Sequence, residues 1–359
     1  MNPKTLEYRV EDRSILLPYY KRLFVDPLLP FIPTRVSPNA ITHAGHVANL
    51  AAVLLLLGAG TSRGWPYVFA AVLLHVQVWC DNADGGHARR TGQCSPLGEF
   101  LDHGLDVLNV VYIGLLTCAA LGVTSGWWVA LTLIVPSAVS VTYWEQAVTG
   151  MFRLGLLNQV ESAVVLAGVL LTASVVGTGF FAETTVAGVS LRLGLCVWVF
   201  AQIAVGMLRS LLRVARVAPG DLVAVVPLFA FDLAIGVAVC AGTLDAGSAV
   251  ATGIAMNVFL GVRMLLRRVR HERPHPEALL VLGAVLFVAS AVLPWLGVAL
   301  HGWVVKILTV LLCGAFGICA VFDVREGLRR VQGMTAVVDT IGHETLATVP
   351  ARSGAPGRA

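Results

Sequence analysis

Apolar stretches long enough to cross a bilayer recur along almost the whole chain, and this pattern narrows the fold more than any other feature. A helix needs about 20 predominantly apolar residues to span the hydrocarbon core. Ten such segments are read at 40–60, 65–84, 96–120, 126–148, 157–178, 188–211, 221–241, 247–266, 277–299 and 302–322. The runs are continuous and do not alternate, which argues against a β-barrel. With 57% hydrophobic and only 13% charged residues, the expected fold is all-α: a polytopic membrane helical bundle of about ten transmembrane helices.

The basic residues fall on alternate connections. One side holds those of the N-terminus, Arg89 and Arg90, Arg153, Arg209, Arg213 and Arg216, and the runs at 263–273 and 325–330. The other side holds only Arg63, Arg192 and Lys306. The positive-inside rule then predicts both termini in the cytosol. The net charge of +4 is too modest to argue for nucleic acid. Seven cysteines form no CxxC pair and no zinc-spaced cluster, so neither disulfides nor a zinc site are expected.

The chain divides into a cytosolic or interfacial segment at 1–38, a catalytic transmembrane region at 39–217, C-terminal transmembrane helices at 218–323, and a polar tail at 324–359, expected to be disordered. Residues 15–31 read either as a surface amphipathic helix or as an ordinary cytosolic lead-in. No signal peptide is expected, because the first 30 residues lack an apolar core.

Charges inside membrane segments are costly and need a reason. Here they concentrate in CDNADGGHARRTGQCSPLGEFLDHGLDVLN, residues 80–109. Asp81 and Asp84 are three apart; Glu99, Asp102 and Asp106 are spaced by three and four, so each set shares a helix face. The second apolar segment is read as ending at the first two acids, and a short turn then leads to the last three. Antiparallel packing would pool the carboxylates in one pocket at the cytosolic boundary. Such acids repel one another unless a cation intervenes. Oxygen ligands suit Mg²⁺ or Mn²⁺, and two ions could clamp a diphosphate. Arg89 and Arg90 offer planar donors for phosphate. Gly85, Gly86 and Gly98 leave room for close approach. His103, four residues after Glu99, is a candidate general base that Glu99 could orient.

The spacing D-x-x-D-G-x-x-A-R-x8-G-x-x-x-D-x-x-x-D, here Asp81, Asp84, Gly85, Ala88, Arg89, Gly98, Asp102 and Asp106, resembles the signature of the CDP-alcohol phosphotransferase family. The stretch ARRTGxxSPLGExxDHGxD is most similar to the choline/ethanolamine phosphotransferase branch, as are SPNAIT at 37–42 and YWEQAVTGMFRLGLLNQVE at 143–161. The chain departs at Gly86–His87, where that branch often has Lys-Gln. The resemblance implies the family's transmembrane fold and transfer of a phosphocholine- or phosphoethanolamine-like group from a CDP-alcohol to diacylglycerol, releasing CMP. It implies Asp81, Asp84, Asp102 and Asp106 as metal ligands, Asn39, Arg89 and Glu99 as donor contacts, and His103 as proton acceptor, with Asp106 the alternative. It also suggests a homodimer.

Two other readings stay open. CDP-diacylglycerol could be the donor and a small polar alcohol the acceptor, or the acids could form a transporter's cation site. His43, His46 and His75 are expected to pack within the bundle, and His87 at the pocket rim. Glu145 and Glu161 are expected to pair with Arg153 rather than line the lipid path, and Asp232 reads equally as a carboxyl bonded to a neighbouring helix or as a functional group. The tryptophans, Trp144 among them, mostly read as an interfacial belt.

Overall fold

The computed structural model describes residues 9–124, 126–155, 158–298 and 302–347. The chain is a polytopic all-helical membrane protein. Its long helices are α2 (Pro38–Gly58), α3 (Trp65–Thr91), α4 (Pro96–Leu121), α5 (Gly126–Thr149), α6 (Gln159–Val176), α8 (Leu191–Val217), α9 (Val226–Cys240), α10 (Ala246–Arg270), α11 (Ala278–Val292) and α12 (Gly302–Ala347). Two short helices, α1 (Leu17–Tyr20) and α7 (Gly179–Glu183), complete the set. Each of the ten apolar segments coincides with one long helix. Nine helical spans among the described residues are long and apolar enough to cross a membrane. The tenth, α3, is longer than most at 27 residues but carries Asp81, Asp84, Arg89 and Arg90.

Two departures at helix ends have local causes. α3 does not stop near Asp84; it continues to Thr91 and closes on Gly92, whose φ of 70° lets its N–H reach back to the Ala88 carbonyl. α12 does not stop near Asp323 either, so residues 324–347, expected to be disordered, continue the helix. An Arg330–Glu326 ion pair and an Arg270–Glu326 contact of 3.6 Å support this extension. Residues 348–359 lie outside the described part.

Four short strands were not expected. β1 (Arg9–Asp12) pairs in parallel with β2 (Met151–Leu154), so Glu11 stands beside Arg153. β3 (Thr185–Val186) and β4 (Val189–Ser190) form a hairpin whose central Ala187 and Gly188 both have positive φ. Between β1 and α2, the chain forms α1, a π-helical turn and a 3₁₀ turn, with Tyr20 and Val25 turned inward and Leu23, Phe24, Leu28 and Phe31 exposed.

Two apolar cores flank the middle of the bundle. One joins α2, α3, α4, α5 and α6 around Leu74, Leu116, Leu131 and Leu170. The other joins α5, α9, α10, α11 and α12 around phenylalanines that meet edge to face: Phe231 lies 5.8 Å from Phe287 and 5.6 Å from Phe316. Trp144, expected at an interface, is buried in this second core. Asp232 accepts a 2.7 Å bond from Ser137 of α5, within a buried cluster that includes Asn257. α2 and α3 touch closely, because a Cβ on Gly45 would lie 2.7 Å from the Cys80 Cβ. That contact is made by the residue directly before Asp81, the first acid of α3, and fixes its height against α2.

Candidate active site

The α3–α4 hairpin builds the site. After Gly92 the chain turns at once into Ser95, whose hydroxyl caps α4 by accepting from the Gly98 N–H at 3.0 Å, with Pro96 in the first turn. The two helices therefore lie antiparallel, with Asp81 and Asp84 on one and Asp102 and Asp106 on the other. Asp81 and Asp106 line the same cavity, as does Gln159 of α6, which accepts from Asn82 Nδ2 at 3.4 Å. Thr42 of α2 donates a 2.6 Å bond to Asp84 Oδ2, and the Gly85 N–H reaches Asp84 Oδ1. All four aspartates line one cavity of about 2380 Å³.

Asp102, His103 and Asp106 each offer a ligand atom, and these atoms lie within 4.8 Å of one another. Asp102 Oδ1 is buried without a hydrogen-bond partner among the described residues. Carboxylate oxygens with one imidazole are a donor set for a hard or borderline divalent cation. No thiolate competes closely: Cys80 is buried against Gly45, and Cys94 lies exposed in the turn. The residues present thus fit a divalent metal.

His103 is buried and held by aromatic rings. Phe152 of β2 stacks on it at 5.4 Å, Tyr143 of α5 at 5.9 Å, and the Tyr143 hydroxyl donates to the His103 carbonyl at 2.9 Å. The sequence pattern suggested that Glu99 orients this ring. In the structure Asp102 Oδ2 lies 3.6 Å from His103 Nδ1, and Glu99 forms an ion pair of 2.6 Å with Arg268 of α10.

Asn39 and Arg89 both reach the cavity, each across a glycine. The Asn39 Oδ1 would be 3.4 Å from a Cβ on Gly98, and the Arg89 guanidinium 3.4 Å from one on Gly85. Arg90 does not act as the expected phosphate donor. It bonds the Pro30 carbonyl at 3.1 Å and the Ile32 carbonyl at 2.5 Å, fastening the segment before α2. His87 is fully buried, away from any rim, with Nε2 at 2.8 Å from the Val36 carbonyl.

Glu145 pairs with Arg153 at 3.1 Å, as expected, and also with Arg213 of α8 at 2.6 Å. Glu161 does not pair with Arg153. It accepts from Ser14 Oγ at 2.7 Å and the Leu16 N–H at 2.8 Å, tying down the N-terminal segment. Of the three histidines expected to pack within the bundle, only His46 does so, against Tyr112; His43, bonded to the Asn39 carbonyl, and His75, beside Tyr20 and Phe24, are both exposed.

The cavity has two ends of different chemistry. Around the acids its wall carries Arg13, Lys21, Arg89, Arg153, Arg209 and Arg213. Away from them, between α4, α5, α6 and α8, the lining is Ile113, Val135, Val139, Val169, Leu195 and Val199. Leu121, four turns beyond Asp106 on α4, still lines it, so the apolar arm runs on the order of 20 Å along the helix. Thr42, Gln159, Tyr143, Phe152 and Arg268 were not foreseen in the site. Thr42 lies inside SPNAIT, Tyr143, Phe152 and Gln159 inside the stretch 143–161, and Arg268 inside the basic run 263–273, but the pattern assigned none of them a part in the site.

Comparison with known proteins agrees with the geometry. A family model described as CDP-alcohol phosphatidyltransferase matches residues 35–262. The chain is 34% identical over 146 residues to cholinephosphotransferase 1 of Homo sapiens, covering 39% of this chain and 36% of that protein. It is 29% identical over 194 residues to the Danio rerio protein of the same name, covering 52% and 50%. Against the CDP-diacylglycerol–serine O-phosphatidyltransferase of Encephalitozoon cuniculi it is 34% identical over 165 residues, covering 44% and 42%. The chain thus spans half or less of these three relatives' length. Since the matched region holds every aspartate of the site and more than half of the chain, the chain belongs to the CDP-alcohol phosphatidyltransferase family.

Proposed function

We propose that this protein transfers a phosphoalcohol group, of the phosphocholine or phosphoethanolamine kind, from a CDP-alcohol to the hydroxyl of a lipid such as diacylglycerol, releasing CMP. One observation carries the reading: four aspartates from two helices meet at the polar end of a cavity whose other end is an apolar arm. A nucleotide diphosphate suits the first end and acyl chains the second. The positive-inside pattern puts the polar end at the cytosolic face.

Asp81, Asp84, Asp102 and Asp106 would hold Mg²⁺ or Mn²⁺, two ions by this reading. Bound there, such ions neutralise the diphosphate and the charge that develops on the leaving oxygen. Arg89 and Asn39 contact the donor from the wall of the cavity, Gly85 leaves it room, and Glu99 contacts it one turn from Asp102. The lipid hydroxyl approaches from the apolar arm. His103 takes its proton at Nε2, the ring nitrogen away from Asp102, while Asp102 steadies Nδ1. Phe152 and Tyr143 keep the ring in place. The lipid oxygen forms a bond to the donor's β-phosphorus, and the bond from that phosphorus to the bridging oxygen breaks, leaving that oxygen on CMP. Asp106 is the second candidate for the base.

The test is CMP release by purified protein with Mg²⁺, diacylglycerol and a panel of CDP-alcohols. Release dependent on both CDP-choline or CDP-ethanolamine and lipid supports the reading. The similarity to a CDP-diacylglycerol-dependent relative favours a second reading, in which CDP-diacylglycerol is the donor and a small polar alcohol the acceptor. CMP formed from CDP-diacylglycerol, and from no CDP-alcohol, would establish that alternative.

A further inference from the structure

Glu99 is met by a residue from beyond the part of the chain that the family model covers. Arg268 Nη1 lies 2.6 Å from Glu99 Oε1, and the two side chains are 14% and 26% exposed. Glu99 stands in the first turn of α4 and Arg268 in the last turn of α10. A helix N-terminus favours an anion and a C-terminus a cation, so each charge sits at the end that suits it.

The backbone behind the pair is fixed. Two turns along, a Cβ on Gly261 would lie 2.8 Å from Val107 Cγ2, so α4 and α10 approach closely there. Phe100, next to Glu99, packs so tightly on Gly327 of α12 that a Cβ there would collide with its ring. α10 and α12 are tied by Arg263–Asp323 at 2.6 Å and Arg270–Glu326 at 3.6 Å. The C-terminal helices thus form a firm wall behind the start of α4, and Arg268 reaches from that wall to a carboxylate that lines the cavity. A partly exposed glutamate otherwise samples several rotamers, and a planar guanidinium removes that freedom.

We propose that Arg268 is a positioning residue for donor binding: it holds the Glu99 carboxylate in one orientation, one turn from Asp102 and His103. The proposal rests on the phosphoalcohol-transfer reading above. It makes α10 and α12 part of the active site, with Arg268 acting through Glu99 and not on the substrate.

The test is Michaelis kinetics of CMP release by the full chain, with varied CDP-choline and saturating diacylglycerol and Mg²⁺. The variants are Arg268→Gln, Arg268→Lys, Glu99→Gln and the double variant R268Q/E99Q, with Asp323→Asn controlling for loss of an α10–α12 ion pair. Arg268→Gln is expected to raise the donor KM about 10-fold with kcat nearly unchanged, Glu99→Gln to do the same, and the double variant to be no worse than Glu99→Gln. Arg268→Lys recovers most of the loss, and Asp323→Asn leaves the donor KM as in the wild type. A wild-type KM in Arg268→Gln, or single effects that multiply in the double variant, overturns the proposal while leaving the transfer reading standing. A wild type that releases no CMP from either CDP-choline or CDP-ethanolamine overturns both.

Discussion

Thr42 Oγ1 donates a 2.6 Å hydrogen bond to Asp84 Oδ2, from the second turn of α2 to the acidic stretch of α3. The bond leaves Asp84 Oδ1 to the Gly85 N–H and sets the plane of the carboxylate. With Asp84 as a metal ligand, as proposed, removing a group that orients it is expected to change metal affinity by about 10–100-fold. Thr42→Val, close in shape but without the hydroxyl, is expected to raise the Mg²⁺ concentration for half-maximal CMP release by about 10-fold. Titration of activity with Mg²⁺ at saturating donor reads this directly.

His103 separates binding from chemistry. His103→Ala is expected to lower kcat by about 10²–10⁴-fold, the span of general acid–base catalysis, with the donor KM within a few-fold of wild type. Asp106→Asn would also remove a proposed metal ligand, so it should abolish turnover and weaken the Mg²⁺ response. If His103→Ala turns over normally, Asp106 is the base.

The contact between Gly45 and Cys80 makes a stability prediction. A Cβ at 2.7 Å from the Cys80 Cβ cannot be relieved by a rotamer change. Gly45→Ala is expected to destabilise by about 1–3 kcal/mol, the usual cost of overpacking. Cys80→Gly in the same chain should restore most of the thermal midpoint, because it removes the atom that clashes.

Asp245 caps α10 outside the membrane-spanning segments. Its Oδ1 accepts from the Ser248 N–H at 2.9 Å and its Oδ2 from the Ser248 hydroxyl at 2.7 Å. The Ser248 backbone bond, then the hydroxyl, hold its carboxyl below the usual range. A lowered folded-state value means the stabilisation is present above the ordinary value near pH ~4 and is lost as pH falls through the folded one. Asp245→Ala should therefore cost about 1 kcal/mol at neutral pH. The difference in thermal midpoint between wild type and variant should shrink on acidification below about pH 4.

The acids of the site were legible because helical spacing alone places Asp81 with Asp84 and Asp102 with Asp106, and the short turn forces the two helices together. The ten spans were legible from apolar length. Arg90 misled because a guanidinium beside acids looks like a phosphate ligand, whereas the carbonyls of Pro30 and Ile32 that claim it become visible only when the loop before α2 folds over α3. The partner of Glu99 was hidden for a similar reason: Arg268 sits in a run of arginines at a helix end far along the chain, and any of them could have faced α4. The pairing of β1 with β2 involves four residues a side and no alternation, too little for a sequence pattern to show.

The central claim is that the pooled aspartates act through divalent metal. The most direct measurement is CMP release from CDP-choline and diacylglycerol by the purified protein before chelation with EDTA, after it, and after Mg²⁺ is returned. The account predicts near-complete loss on chelation and recovery with Mg²⁺. Undiminished release in excess EDTA would contradict it.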